Sequence, residues 1–217
     1  MTIDFLYPCR TSHLFNLNWL MKWQDGTQYT FKRGEQISYP HKLDDELYLV
    51  VTGNVSIGHL HEDGKECVLG IVSDNDFIDL PSAFSDRESE VYATALTDVV
   101  VVKVPKQEVI KKATETPDVS LQLLTYFSNQ LQDVVMILEQ VAYDRVEDRL
   151  IHACDRLIDP TNNKNGWYPL PPYVTHKDIA GMIASTRETV TFLINKLIQN
   201  GVLKQENHRL WFNPEHV

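Results

Sequence analysis

The sequence predicts an α+β chain: a jelly-roll β-barrel, then one long helix, then a winged helix-turn-helix. Three observations carry this. Short alternating apolar runs separated by turn residues fill the stretch from Trp19 to about Val104. Apolar residues spaced 3, 4, 3, 4, 3 run from Leu124 to Val141. Two short amphipathic segments, each behind a capping residue, occupy Thr175 to Gly201.

The chain has 217 residues, 43% hydrophobic and 23% charged, enough for one large domain or two ordinary ones and too apolar for disorder. No apolar run approaches the roughly 18 residues that span a bilayer. The opening MTIDFLYPCR lacks the basic-then-apolar pattern of a secretion signal. Cys9, Cys67 and Cys154 are odd in number and irregular in spacing, which excludes a disulfide framework. A cytoplasmic protein with no membrane partner is expected. Net charge is -10, but Val174 to Val217 holds five Lys/Arg against four Asp/Glu, so the remainder carries -11. An acidic body with a near-neutral C-terminal quarter is compatible with local phosphate contacts, and it calls for dimerisation to reach useful DNA affinity.

Within the barrel region, Tyr29 to Lys32 precedes the turn Arg33-Gly34-Glu35. Leu47, Leu49 and Val51 alternate with Tyr48 and Val50; after Gly53, Val55 and Ile57 share a face. Glu62 to Lys65 is a hairpin turn from which Cys67, Leu69 and Ile71 return. Val91, Ala93 and Ala95, then Val99 to Val104, supply two more strands.

Thr116-Pro117-Asp118 ends the barrel, and a long helix begins. Leu124, Phe127, Leu131, Val134, Leu138 and Val141 form its heptad seam, the expected dimer contact. Leu123, Val135 and Ala142 widen the stripe, so one flank can rest on the barrel. The alternative is a helix buried wholly in its own domain. A further helix through Val146, Leu150, Cys154 and Leu157 starts near Arg145. Asp159 to Tyr173 is a loop by composition, its end pinned by Trp167, Tyr168 and Leu170.

Ile179, Ala180 and Ile183 share a face of the next helix; Val190, Ile194, Leu197 and Ile198 share one on the helix after it. Thr175 stands three residues before Asp178 and Ser185 three before Glu188, two capping-box spacings. Helices joined this tightly suggest a helix-turn-helix whose second member enters the DNA major groove. Val202 to Lys204 and Arg209 to Phe212 flank Gln205 to His208 as the winged hairpin.

FKRGEQI (Phe31 to Ile37), ELYLVVTGNVSI (Glu46 to Ile57) and EDGKE (Glu62 to Glu66) resemble, in this order, a cyclic-nucleotide-binding-like β-roll. VTHKDIAGMIASTRETVTFLINKLIQNGVL (Val174 to Leu203) resembles the winged helix-turn-helix of the CRP/FNR superfamily of bacterial transcription regulators, its RETV core (Arg187 to Val190) being specific. The resemblance covers nearly the whole chain. It implies an effector-type β-roll over 1–117, a dimerisation helix over 118–144 and a DNA-binding domain over 145–217. It also implies base-reading positions at Arg187, Glu188 and Phe192, with Thr175, Ser185, Thr186, Thr191 and Lys196 completing the DNA-binding set. Chemistry supports the first two: arginine can bond guanine O6/N7 bidentately, and a carboxylate can accept from cytosine N4. The alternative is that Glu188 only closes the Ser185 box and Arg187 is a solvated or phosphate-binding charge. Phe192 departs from relatives that carry Arg there. Ala184 departs from their usual Gly.

Relatives that bind cyclic AMP carry a Gly-Glu pair and then an Arg-Ser or Arg-Thr pair. Here Asp79-Leu80 and Ser89-Glu90 stand in those places. A phosphate facing carboxylates without a cation is disfavoured, so cyclic-nucleotide control is not expected. FNR holds an iron–sulfur cluster on four cysteines, and this chain lacks that set, so no cofactor is expected. Cys9 and Cys67 could form a redox switch; the alternative is three ordinary cysteines. Gly53, His59, His61 and Glu66 match the first metal motif of cupins, but no His lies between His61 and His152 to complete it. The expected function is a non-enzymatic homodimeric transcription regulator on a pseudo-palindromic operator, with RNA polymerase a partner if it activates. The rival is a metal-dependent cupin enzyme.

Overall fold

A computed structural model of the chain describes residues 23, 25–40, 45–60 and 66–217, in two compact units that divide between Val134 and Val135. The expected hairpin turn Glu62 to Lys65, with Cys9 and His61, lies outside the described residues. The first unit contains β1 (Gln28–Phe31), β2 (Gln36–Ser38), β3 (Glu46–Thr52), β4 (Val55–Leu60), β5 (Glu66–Val72), β6 (Phe77–Ile78), β7 (Val91–Ala95) and β8 (Val99–Pro105). They form two antiparallel four-stranded sheets, ordered β1-β8-β3-β6 and β2-β7-β4-β5, as a jelly roll requires.

β3 explains why these sheets carry so many Val and Leu residues. Leu47 and Leu49 enter one core, while Tyr48 and Val50, pointing the other way, enter a second. β8 divides likewise, Val102 and Val104 against Val99 and Val101. One core lies between the two sheets with Val55, Val72 and Ala93; the other holds Val109, Ala113, Val119, Leu123 and Tyr126 from helices. The sheet is therefore covered on both faces.

Those helices are α1 (Lys106–Glu115) and α2 (Pro117–Tyr143). α1 gives too little signal to be anticipated from the sequence, because Val109 and Ala113 are its only buried residues and make too sparse a stripe. α2 opens on Pro117, suited to a first helical position because its missing N–H has no intrahelical acceptor. Val119, Leu123 and Tyr126 bury its first turns, and Leu124, Leu131, Val134, Leu138 and Val141 are exposed. Phe127 departs from the expected seam. It packs against the helix-side core, its ring 5.8 Å from that of Phe84. An aromatic that can pack edge-to-face within its own unit is drawn inward.

The second unit contains α3 (Val146–Leu157), β9 (Tyr168–Pro169), α4 (His176–Met182), α5 (Arg187–Gln199), β10 (Leu203–Glu206) and β11 (Arg209–Phe212). Leu150, Cys154, Leu157, Ile179, Ile183, Val190, Ile194, Leu197 and Phe212 are buried within it. β10 and β11 form the expected hairpin, its turn narrowed to Asn207 and His208, both with positive φ. β9 adds a third strand, pairing Tyr168 with Phe212 and Pro169 with Trp211. Proline lowers the strand signal there, but an edge position tolerates it. Among the described residues no helix is long and apolar enough to cross a membrane.

Gly53 has φ 107°, and a Cβ there would meet the Asp98 carbonyl oxygen at 2.5 Å. Gly53→Ala is expected to destabilise the protein by at least about 1–3 kcal/mol, measured by urea denaturation.

Candidate nucleic-acid interface

The interface is built on the turn between α4 and α5. Thr175 caps α4 in a full capping box: the Asp178 N–H donates to Thr175 Oγ1 at 3.3 Å, and the Thr175 N–H donates to Asp178 Oδ2 at 2.7 Å. This matches expectation. The second cap does not. Thr186, not Ser185, caps α5, accepting from the Thr189 N–H at 3.2 Å. Ser185 is occupied otherwise, its N–H closing the end of α4 on the Ala180 carbonyl at 2.9 Å. That six-residue closure is a Schellman motif, which requires a left-handed residue just before it. Ala184 supplies it at φ 50°. Glu188 is thus released from the expected box with Ser185.

Arg187, Glu188 and Phe192 are all exposed, Phe192 at 68%. Residues i, i+1 and i+5 of one helix share a side, so the three expected readers are together on its first turns. Thr191 lies on the same side but is already engaged: its hydroxyl donates to the Arg187 carbonyl at 2.9 Å and lies 2.9 Å from His176 Nδ1. A hydroxyl has one proton to give, so with that proton on the carbonyl the imidazole Nδ1–H is the donor to Thr191. Lys196 is paired with Glu147 of α3. Sequence reasoning missed His176, although its place directly after an N-cap residue was a usable signal. It had no means of finding the Lys196–Glu147 pair, whose members are 49 residues apart.

The wing is held by cations on aromatic faces. Lys204 Nζ lies 4.7 Å from the Trp167 ring centre, and Lys204, Arg209 and Lys164 all lie over Trp211. Arg209 Nε also donates to the Leu170 carbonyl at 2.9 Å, tying the loop before α4 to the wing.

The cupin reading fails on strand register. His59 is opposite Cys67, while Glu66 is opposite Leu60, so His59 and Glu66 project to opposite faces of the β4–β5 pair. His59 lies instead 3.8 Å from Glu90. Among the described residues no three His, Cys, Asp or Glu side chains are grouped to hold a metal. Cys67 is exposed, while burial, then the charge of Asp155, pushes the Cys154 thiol up to about 12.

Burial, then the Arg187 guanidinium, holds His176 below its ordinary 6.5. The fold therefore favours neutral imidazole, and the unfolded chain binds the proton more readily. That contribution to stability is present above 6.5 and lost as pH falls through the folded value. Chemical denaturation at pH 7.5 and 5.5 is expected to show a smaller loss of stability on acidification for His176→Gln than for the unaltered protein.

Residues 28–115 match the cyclic nucleotide-binding domain family, and residues 144–213 match the Crp-like helix-turn-helix domain. The global nitrogen regulator of Synechococcus elongatus is 27% identical over 193 residues, covering 85% of each chain. The transcriptional regulator SdrP of Thermus thermophilus is 28% identical over 181 residues, covering 81% of this chain and 84% of that one. The c-di-GMP responsive global regulator CLP of Xanthomonas campestris has the same fold, with a TM-score of 0.77 over 91% of this chain and 99% of that one at 18% identity. With a cyclic-nucleotide-binding-like β-domain ahead of a Crp-type helix-turn-helix, the chain belongs to the CRP/FNR family of DNA-binding transcription regulators.

Proposed function

We propose that the chain works in the cytoplasm as a homodimer without catalytic activity and reads a pseudo-palindromic operator through two copies of α5. Residues 1–117 form its effector-type domain, 118–144 its dimerisation helix and 145–217 its DNA-binding domain. The observation that carries the reading is the side-by-side exposure of Arg187, Glu188 and Phe192 on a capped helix whose opposite face is buried. Arg187 reads guanine, Glu188 accepts from cytosine N4, and Phe192 contacts a thymine methyl. Thr175, Ser185 and Thr186 set the turn and offer backbone contacts to phosphate, while Thr191 and Lys196 orient the helix through His176 and Glu147. Half-sites about one helical turn apart would match the dimer's two-fold symmetry. RNA polymerase is a further partner if binding activates transcription.

Control by a cyclic nucleotide is disfavoured at Asp79-Leu80 and Ser89-Glu90, where Asp79 and Glu90 bring carboxylates and no cation stands where a phosphate needs one. An effector acts only through unequal affinity for two arrangements of the dimer.

Two measurements test this reading. Arg187→Ala is expected to weaken operator binding by about 5- to 150-fold in gel shifts and to relax the preference at the guanine position; an unchanged operator preference overturns the assignment. Leu138→Asp puts a charge in the exposed seam and is expected to halve the sedimenting mass while leaving circular dichroism intact. A wild-type protein that sediments as a monomer overturns the dimer.

A further inference from the structure

The first unit contains a cavity of about 360 Å³, within the range of small-molecule sites. Ile57, Val91 and Leu80 stand for its mostly apolar wall; Asp79, Tyr126 and Gln130 are its polar groups. Among the described residues no Lys, Arg or His lines it. Two carboxylates act on this space. Asp79 is in the wall, and Asp76, buried beside it in sequence, joins Asp79 in disfavouring ionisation of Tyr126. The Tyr126 hydroxyl is hydrogen-bonded to Gln130 one turn along α2, so both arrive as neutral dipoles. Among the described residues no ion pair neutralises Asp79. Its backbone is held at φ 55° ahead of the 3-10 turn Leu80–Ala83, where Ser82 donates to its carbonyl from the backbone at 3.1 Å and from the side chain at 2.9 Å. The backbone that carries the Asp79 carboxylate is fixed in this way, and a carboxylate at an apolar wall matches a donor and repels an anion.

We propose that this cavity binds a small, mostly apolar ligand, neutral or cationic, whose polar end donates a hydrogen bond to Asp79, and that it discriminates against anions. The proposal rests on reading the β-domain as the sensor and names what it senses by chemical class: the opposite of a nucleotide phosphate. Leu131 and Val134 belong both to the cavity lip and to the exposed seam of α2. Occupancy would therefore alter the surface that a second copy covers, giving a ligand unequal affinity for two dimer arrangements.

Two fluorescent probes with one scaffold test it on the full-length protein without DNA. N-phenyl-1-naphthylamine is neutral and carries one N–H; 1-anilinonaphthalene-8-sulfonate adds a single anionic group. The expected result is saturable binding of the amine at about one site per chain, with the sulfonate weaker by at least about tenfold. Asp79→Asn, which tolerates a positive φ and keeps an acceptor, is expected to tighten the sulfonate by about tenfold and leave the amine within about twofold. Ile57→Trp is expected to fill the cavity and remove amine binding, and Val91→Trp serves the same purpose if the first variant does not fold. Equal affinity of the two probes, a ratio unmoved by Asp79→Asn, or amine binding that survives a cavity-filling variant overturns the proposal. No binding of the amine also overturns it. Because DNA is absent, such a failure leaves the operator reading standing, and a failed Arg187→Ala gel shift leaves the cavity standing.

Discussion

Between Met182 and Arg187 the chain ends one helix and starts another, and the left-handed backbone of Ala184 makes that reversal possible. A residue with a Cβ there carries about 1–2 kcal/mol of strain that glycine would avoid. The surroundings hold it in place from both sides. The Ser185 N–H is bound to Ala180, Thr186 caps the next helix, and Ile183 and Val190 are buried either side of the turn. Everything the recognition helix presents depends on this closure. Were it to relax by one residue, Ser185 would become the cap and Glu188 would turn back to close its box, as the capping-box spacing suggested. The observed start at Arg187 instead leaves both Arg187 and Glu188 outward on the first turn, where a helix offers side chains to a groove.

A second constraint runs through the β-domain. The strands β3 and β8 are buried on both faces, so each alternate residue belongs to a different core. This makes the sheet a rigid septum, with the partner sheet on one side and α1 and the start of α2 on the other. Early in α2 the helix is bound to that septum through Val119, Leu123 and Tyr126. Leu124, Leu131, Val134, Leu138 and Val141 are a large exposed stripe, and stripes of that kind on soluble proteins mark interaction surfaces. The part of α2 that packs on the β-domain and the exposed apolar stripe, the proposed dimer contact, are thus two stretches of one helix.

How much of this was legible in the sequence depends on the strength of the local signal. The long helix was readable from its heptad spacing, and β3, β4, β7 and β8 from alternation bounded by glycine and turn residues. β6 and β9 were not, because each is only two residues long and takes its identity from its partner strand. α1 was too weakly amphipathic to register. At the candidate interface, Arg187, Glu188 and Phe192 were singled out through resemblance and prove to be exposed together, and the Thr175 cap was legible through its spacing. Thr186 was not, because Ser185 and Thr186 are both good caps and only the closure of the preceding helix chooses between them. Phe127 shows the same limit: heptad spacing cannot tell an exposed position from one that a neighbouring phenylalanine can recruit.

Charge limits how such a protein holds DNA. The chain is acidic overall, at -10, and Val174 to Val217 contains only five Lys/Arg. Three of those are already committed within the unit: Lys196 to Glu147, Lys204 to Trp167 and Trp211, and Arg209 to the Leu170 carbonyl. Phosphate neutralisation by this stretch is therefore modest, and the part of affinity that it draws from released counterions is correspondingly small. An acidic body further opposes approach to the duplex. In the proposed reading the balance comes from groups that act at short range: base-edge contacts from Arg187 and Glu188, a desolvated apolar contact from Phe192, and backbone N–H groups at the start of α5. Each depends on placement to within a fraction of an ångström, which is why the turn at Ala184 matters more here than in a strongly basic DNA binder. In the proposed homodimer, two modest half-sites joined by one helix seam multiply their affinities where a single unit could not.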